Sequence, residues 1–160
     1  MTAPHTTADG RIIVATDGSA NPNPGPAGWA WYASDTCWAA GSAKHSTNNR
    51  AELAAVLNLL RDTAATNPPL HILLDSKYVL GIMGGNNATK NIDLVATLRQ
   101  AMAGRDFTTE WVKGHAGHHL NEGADIACGN ASAAARNGTD IPTGPGWTLR
   151  HAGNPRIGDV

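Results

Sequence analysis

The residues predict an α/β domain in which a mixed β-sheet carries helices on both faces. Three observations lead there. The segments read in the order β-β-β-α-β-α-α-β-α, a mixture that suits layers of helix on sheet. The strand candidates are short β-branched or apolar runs bounded by Gly, Pro and Asn, whereas the helix candidates repeat their apolar residues at helical spacing. The length of 160 residues, with 41% hydrophobic and 16% charged side chains, matches one domain with an ordinary core.

Residues 1–10 are small and polar and read as a loose leader. RIIVAT (residues 11–16) is a β-branched run, hence a buried strand ending at Asp17. Three prolines and two glycines in NPNPGPAG (residues 21–28) make a turn, and residues 29–33 and 37–43 then form a strand pair around Ser34, Asp35 and Thr36. Leu53, Val56, Leu57 and Leu60 fall at i, i+3, i+4 and i+7, which predicts a helix over 49–65 with Asn48 or Asn49 as its cap. Pro68 and Pro69 stop it. LHILL (residues 70–74) is too short for a buried helix and reads as a strand ending at Asp75. A brief helix over 76–83 and another over 93–103, capped by Asn91, precede a strand over 107–113 and an Ala-rich helix over 121–136. The domain is expected to span residues 11–137. Beyond it, 8 of 23 residues are Gly or Pro with no periodicity, so residues 138–160 are expected to be an undocked, mobile tail that includes Trp147.

Composition excludes several classes of function. Cys37 and Cys128 have no CxxC spacing, against both a disulfide framework and a zinc site, and Cys128 reads as a small core residue. No apolar run is long enough for a membrane span and no signal-peptide pattern opens the chain, which predicts a cytoplasmic protein. The net charge of −1 lacks the basic footprint of a duplex binder, but two bound divalent ions would turn it into +3.

Four acids stand in four distinctive contexts: Asp17 in TDGSANPNPGPAGWAW, Glu52 in TNNRAELAAV, Asp75 in ILLDSKYV and Asp125 in WVKGHAGHHLNEGADIA. Each has an ordinary structural explanation. Asp17-Gly18 makes a common turn, and Glu52 is placed to complete a capping box with Asn49. Asp75 would cap the helix after it, and Asp125 would complement a helix dipole from the first turn. Taken together, all four adjoin segments that should be rigid, two at strand ends and two in first helical turns. Four converging carboxylates repel one another unless hard cations neutralise them, and an oxygen-only set suits Mg²⁺ or Mn²⁺. Paired ions of this kind clamp the attacking and leaving oxygens in phosphoryl transfer.

These contexts, in this order and over residues 11–136, resemble the type 1 ribonuclease H family of bacterial ribonucleases HI. The resemblance implies a ribonuclease H-like fold whose five-stranded sheet has three antiparallel strands followed by two parallel ones. It implies an endonuclease that hydrolyses the RNA strand of RNA–DNA hybrids, leaving 5′-phosphate and 3′-hydroxyl ends. Asp17, Glu52, Asp75 and Asp125 would then hold two Mg²⁺ ions in the presence of substrate, with Mn²⁺ able to substitute. His115, the first histidine of KGHAGH, would assist proton movement or product release, and Glu122 would be an auxiliary acid that helps metal exchange. Backbone groups around Gly18, Ser19 and Ala20, with the Asn48 side chain, would meet the RNA strand, whose 2′-hydroxyl distinguishes it from DNA, and Asn23 and Asn49 would also bind substrate. Thr47 and Asn91, with Lys90 beside them, match a pocket for a DNA-strand phosphate. A monomer without an obligate protein partner is expected.

The chain departs from the family pattern at three places. Where many members carry a basic, aromatic insertion, this chain has only MGGNNATKN with its single Lys90. His45 stands where an Arg can support the phosphate pocket, and Lys77 where Gln is frequent. The first two predict weak hybrid binding and leave the chemistry intact. Two other readings stay open at this level. One is a DNA-processing nuclease of the same fold, since fold alone does not fix function. The other is a non-catalytic hybrid-binding module, which would be expected to lose a carboxylate.

Overall fold

In the computed structural model, which describes residues 5–114 and 117–149, nine elements follow one another: β1 (Ile12–Ala20), β2 (Gly25–Ser34), β3 (Cys37–Ser46), α1 (Asn48–Asp62), β4 (Leu70–Leu74), α2 (Lys77–Met83), α3 (Ile92–Met102), β5 (Phe107–Trp111) and α4 (His119–Asn137). They occur in the order read from the sequence. The sheet runs β3-β2-β1-β4-β5. β1, β2 and β3 pair antiparallel, and β4 is parallel to both β1 and β5.

Alternation along the strands divides the core between two faces. Ile12, Val14, Trp31, Leu70, Ile72 and Leu74 face α1, α2 and α3, where Leu53, Val56, Leu60, Val79 and Leu98 are buried against them. The opposite face is built from smaller residues. There Ala15, Ala30, Ala40 and Leu73 receive Leu120, Ala124, Ala127, Cys128 and Ala131 of α4. Small side chains on both partners let α4 lie close to the sheet.

Several boundaries differ from the sequence reading. β1 does not stop at Asp17, because β2 goes on pairing with it from Asp17↔Ala30 to Ala20↔Ala27. β2 starts at Gly25 inside the proline-rich segment, and Pro26 sits where its missing N–H is tolerated, beside the irregular Gly25/Ala27 pairing. α1 is capped by Thr47, whose side chain accepts from the Arg50 N–H, so neither Asn48 nor Asn49 is the cap. Glu52 is then the fifth helical residue, and the capping-box explanation for it is removed. Ser76, not Asp75, caps α2. Asn91 occupies the cap position of α3 in a left-handed conformation (φ 57°) but makes no side-chain capping bond. α4 starts at His119, so Asp125 lies beyond its first turn.

Contrary to their composition, the described residues flanking the domain, 5–10 and 143–149, are docked on it. Residues 5–10 turn back onto β1: Ile13 N–H donates to His5 C=O at 2.8 Å and Thr6 bridges to Ile12. At the other end β3 is an edge strand whose outward backbone groups need partners, and residues 143–149 supply them along its first part, at Trp38 and Ala40. Ala40 N–H donates to Thr143 C=O, Gly146 N–H donates to Trp38 C=O, and the Thr148 hydroxyl donates to Thr36 C=O. Trp147 packs on the buried Trp31 with ring centroids 5.7 Å apart, so the expected undocked tail is corrected for this stretch. Residues 150–160 lie outside the described residues.

Candidate active site

Asp17 is the centre of the site, and the sheet fixes its position. The parallel register of β1 and β4 ends at Ala15↔Leu73. Two residues further along each chain come Asp17, still held by β2, and Asp75, just past the end of β4. Both acids thus emerge together at one end of the parallel pair, where open α/β sheets place their ligands.

Two glycines bring in the helices that carry the other acids. A Cβ on Gly18 would stand 2.3 Å from the Ala51 carbonyl carbon and 2.4 Å from the Glu52 nitrogen, so α1 can cross β1 only over a glycine. That crossing sets Glu52 against Asp17. Likewise a Cβ on Gly28 would stand 2.1 Å from the Cys128 carbonyl oxygen and 2.6 Å from the Ser132 nitrogen. α4 is therefore seated on β2, and the Ser132 hydroxyl donates to Pro26 C=O at 2.9 Å. This seating carries Asp125 to the same place.

Asp17 consequently belongs to two groups of potential ligands. Ligand atoms of Asp17, Glu52 and Asp75 all lie within 4.8 Å of one another, and so do those of Asp17, Asp125 and Cys128. Asp17 is 5% exposed and Glu52 9%, yet both border an open cleft of about 350 Å³ lined also by Gly18, Ser19, Asn48, Asn49, Asp75, Ser76 and Asp125. Burial pushes the Asp17 carboxyl up to about 7. The nearby Asp75 and Asp125 add to that rise, while hydrogen bonds from Glu52 and the Gly18 N–H oppose it. Burial, then the Asp17 charge, raises Glu52 well above the ordinary carboxylate range. Burial and mutual repulsion make such a cluster costly to charge, and a divalent cation is a natural counter-charge for it. Asp17, Glu52 and Asp75 can hold one, and their oxygen donors are of the hard type.

A family model described as RNase H matches residues 9–133. The chain belongs to the RNase H family. A ribonuclease H of Tropheryma whipplei is 40% identical over 156 residues, covering 88% of this chain and 96% of that one. Among solved structures, the N-terminal RNase H domain of a Mycobacterium tuberculosis protein superposes with a TM-score of 0.66 at 24% identity, covering 79% of this chain and 96% of that one. LC11-RNase H1, solved in complex with an RNA/DNA hybrid, gives a TM-score of 0.66 at 22% identity over 78% of this chain and 98% of that one. Both share the fold.

Within this RNase H domain the other sequence candidates fall in different places. Gly18, Ser19, Asn48 and Asn49 line the cleft. Ala20 and Asn23 are turned to support: Ala20 N–H donates to Asn48 Oδ1 at 2.7 Å, and Asn48 N–H donates to Asn23 Oδ1 at 3.1 Å. Together they fix the Asn48 backbone and amide at the rim. Thr47 and Asn91 sit at the N-termini of α1 and α3, with Lys90 exposed beside Asn91. Glu122 is exposed in the first turn of α4 and is not among the cleft-lining residues. His115 lies outside the described residues. His119 is directed elsewhere, its ring edge-on to Tyr32.

Three residues were missed by the sequence reading. Ser76 lines the cleft. Cys128 is a core residue as expected, but its thiol also touches the site; its signal was the three-residue spacing from Asp125 on one helix face. Arg50 links the N-termini of α1 and α3, and nothing in its local sequence announces a partner 43 residues away.

Proposed function

We propose that this chain is a ribonuclease H that hydrolyses the RNA strand of RNA–DNA hybrids internally, leaving 5′-phosphate and 3′-hydroxyl ends. It acts as a cytoplasmic monomer and uses Mg²⁺, for which Mn²⁺ substitutes. The observation that carries this reading is the sharing of Asp17 between two ligand groups, Glu52 with Asp75 on one side and Asp125 with Cys128 on the other. Two ions bound there would supply the positive charge that activates water and stabilises the departing 3′ oxygen. In the reaction a water oxygen bonds to phosphorus, the bond to the 3′ oxygen breaks, and a proton passes to that oxygen. Asp17, Glu52, Asp75 and Asp125 are assigned to holding the ions. His115 is assigned to moving the proton, with Glu122 as an auxiliary acid.

The cleft also offers a reading of the RNA strand. The Gly18 and Ser19 backbone and the Asn48 and Asn49 amides sit at its wall and supply neutral polar groups where a 2′-hydroxyl would lie. Ala20 and Asn23 hold Asn48 in place. Thr47 and Asn91, with Lys90 nearby, are assigned to a phosphate of the DNA strand. Retention of all four carboxylates argues against a binding-only module.

Asp17→Asn tests this most locally, because the amide keeps the shape and removes the ligand charge. Cleavage with Mg²⁺ should fall by at least about a thousandfold, on the scale of metal contributions to catalysis, while hybrid binding stays measurable by gel shift. A variant keeping more than a tenth of wild-type turnover would remove Asp17 from the centre of the mechanism.

A further inference from the structure

The N-termini of α1 and α3 meet through Arg50. Its backbone N–H donates to Thr47 Oγ1 at 3.2 Å. Its guanidinium grips the Asp93 carboxylate with two N–H groups, at 3.1 and 3.0 Å, and the same Nη1 donates to Asn91 Oδ1 at 3.4 Å. Asn91 Nδ2 in turn donates to the Tyr78 hydroxyl at 3.1 Å.

Counting donors and acceptors decides what Thr47 and Asn91 present outward. Thr47 Oγ1 already accepts from a backbone N–H, which leaves its hydroxyl hydrogen to donate. A guanidinium has donors only, so the amide oxygen of Asn91 must be the atom that faces it. The amide nitrogen then points the other way, with one hydrogen on Tyr78 and the second left for another acceptor. Both side chains therefore offer donors, which is what an anion requires. A flipped Asn91 would offer it an oxygen instead.

We infer that Arg50 is a positioning residue for the DNA-strand phosphate: its guanidinium holds Asn91 as an outward donor beside Thr47, which the helix backbone itself orients, and Asp93 clamps the guanidinium in that task. This rests on the reading above that Thr47 and Asn91 receive a phosphate. The plain alternative is a solvent-exposed ion pair, in which Arg50 contributes only its charge. The two accounts disagree in sign at Asp93, whose side chain is 74% exposed. If charge alone mattered, deleting this acid would favour a polyanion and lower KM. If Asp93 clamps Arg50, deleting it must raise KM although a negative charge has gone.

The test is steady-state cleavage of an RNA–DNA hybrid with Mg²⁺ by the full chain and five variants. Arg50→Ala should raise KM about 5- to 20-fold with kcat within about twofold, the loss of one well-aligned charged-group contact. Arg50→Lys should not rescue it, because one ammonium cannot fork onto Asp93 and also fix an amide. Asp93→Ala should raise KM about threefold through the freed Arg50 side chain. Asn91→Gly removes the amide without strain at its positive φ, and Arg50→Ala added to it should cost less than a further twofold. An unchanged or lowered KM in Asp93→Ala overturns the inference, as do Arg50 and Asn91 effects that multiply. If Asn91→Gly alone leaves KM unchanged, the phosphate assignment itself fails and the inference with it.

Discussion

At the scale of single residues, the site is expensive in its metal-free form. Asp17 is buried beside three other carboxylates, and its pKa is raised from 3.8 to about 7. A carboxyl whose folded pKa is raised contributes its stability when protonated, below the unfolded value, and loses it as pH rises through the folded value. Between about pH 4 and pH 7 the metal-free protein should therefore lose stability through this group. In EDTA at pH 8, Asp17→Asn should melt at a higher temperature than wild type, and at pH 4 the difference should shrink. Mg²⁺ should raise the wild-type melting temperature more at pH 8 than at pH 5, since it binds the deprotonated ligands. Differential scanning fluorimetry across pH checks both, and a less stable Asp17→Asn in EDTA at pH 8 would contradict this account of the charge. The acids themselves were legible in the sequence because each stands in a specific motif. The Gly18 and Gly28 packing roles were not, because their reason is a helix backbone that arrives from more than 30 residues away.

At the scale of elements, order and type were readable from punctuation and periodicity, while boundaries yielded to tertiary pairing. Local signals end β1 at Asp17, yet β2 carries it on to Ala20. The Gly/Pro-rich run at residues 21–28 reads as turn throughout, but pairing with β1 and β3 draws its second half into β2. The seat of α4 on β2 gives a direct test. Gly28→Ala would drive a methyl into α4 backbone, which cannot rotate aside, so the helix must shift. The variant should lose about 3 kcal/mol in urea denaturation, the upper part of the usual overpacking range. Its kcat should fall at least tenfold, because Asp125 rides on the displaced helix and small misplacements are costly. Gly129→Ala, on the same helix, has nothing within 4 Å of the added methyl. It should be neutral or stabilising by up to about 1 kcal/mol from helix propensity. If Gly28→Ala behaves like Gly129→Ala, α4 is not seated as described.

For the whole molecule, the sheet edge and the surface charge matter most. The strap over residues 143–149 covers the first part of the β3 edge, at Trp38 and Ala40, and composition hid this because its Gly and Pro suit a close-lying strap as well as a loose tail. Net charge is −1, and the segment after α2 has Lys90 as its only cation before α3. Hybrid affinity should accordingly be modest, with a log–log salt slope of only about −2 to −4, given roughly 0.9 per phosphate contact on B-form duplex. Filter binding between 50 and 200 mM KCl checks it, and a slope near −8 would reveal an unrecognised basic surface. On the function proposed above, one carboxylate centre uses divalent ions to cut RNA paired with DNA. The most direct test of that function is a denaturing-gel cleavage series on end-labelled RNA–DNA hybrid, double-stranded RNA and double-stranded DNA. Each substrate is incubated with Mg²⁺, Mn²⁺, Ca²⁺ or EDTA. Internal cuts are expected in the RNA of the hybrid alone, with Mg²⁺ or Mn²⁺, and none with EDTA. Ca²⁺ should inhibit, since its looser coordination does not hold an in-line geometry. Cleavage of the hybrid by metal-stripped protein in EDTA, or equal cleavage of double-stranded DNA, would contradict the proposed function.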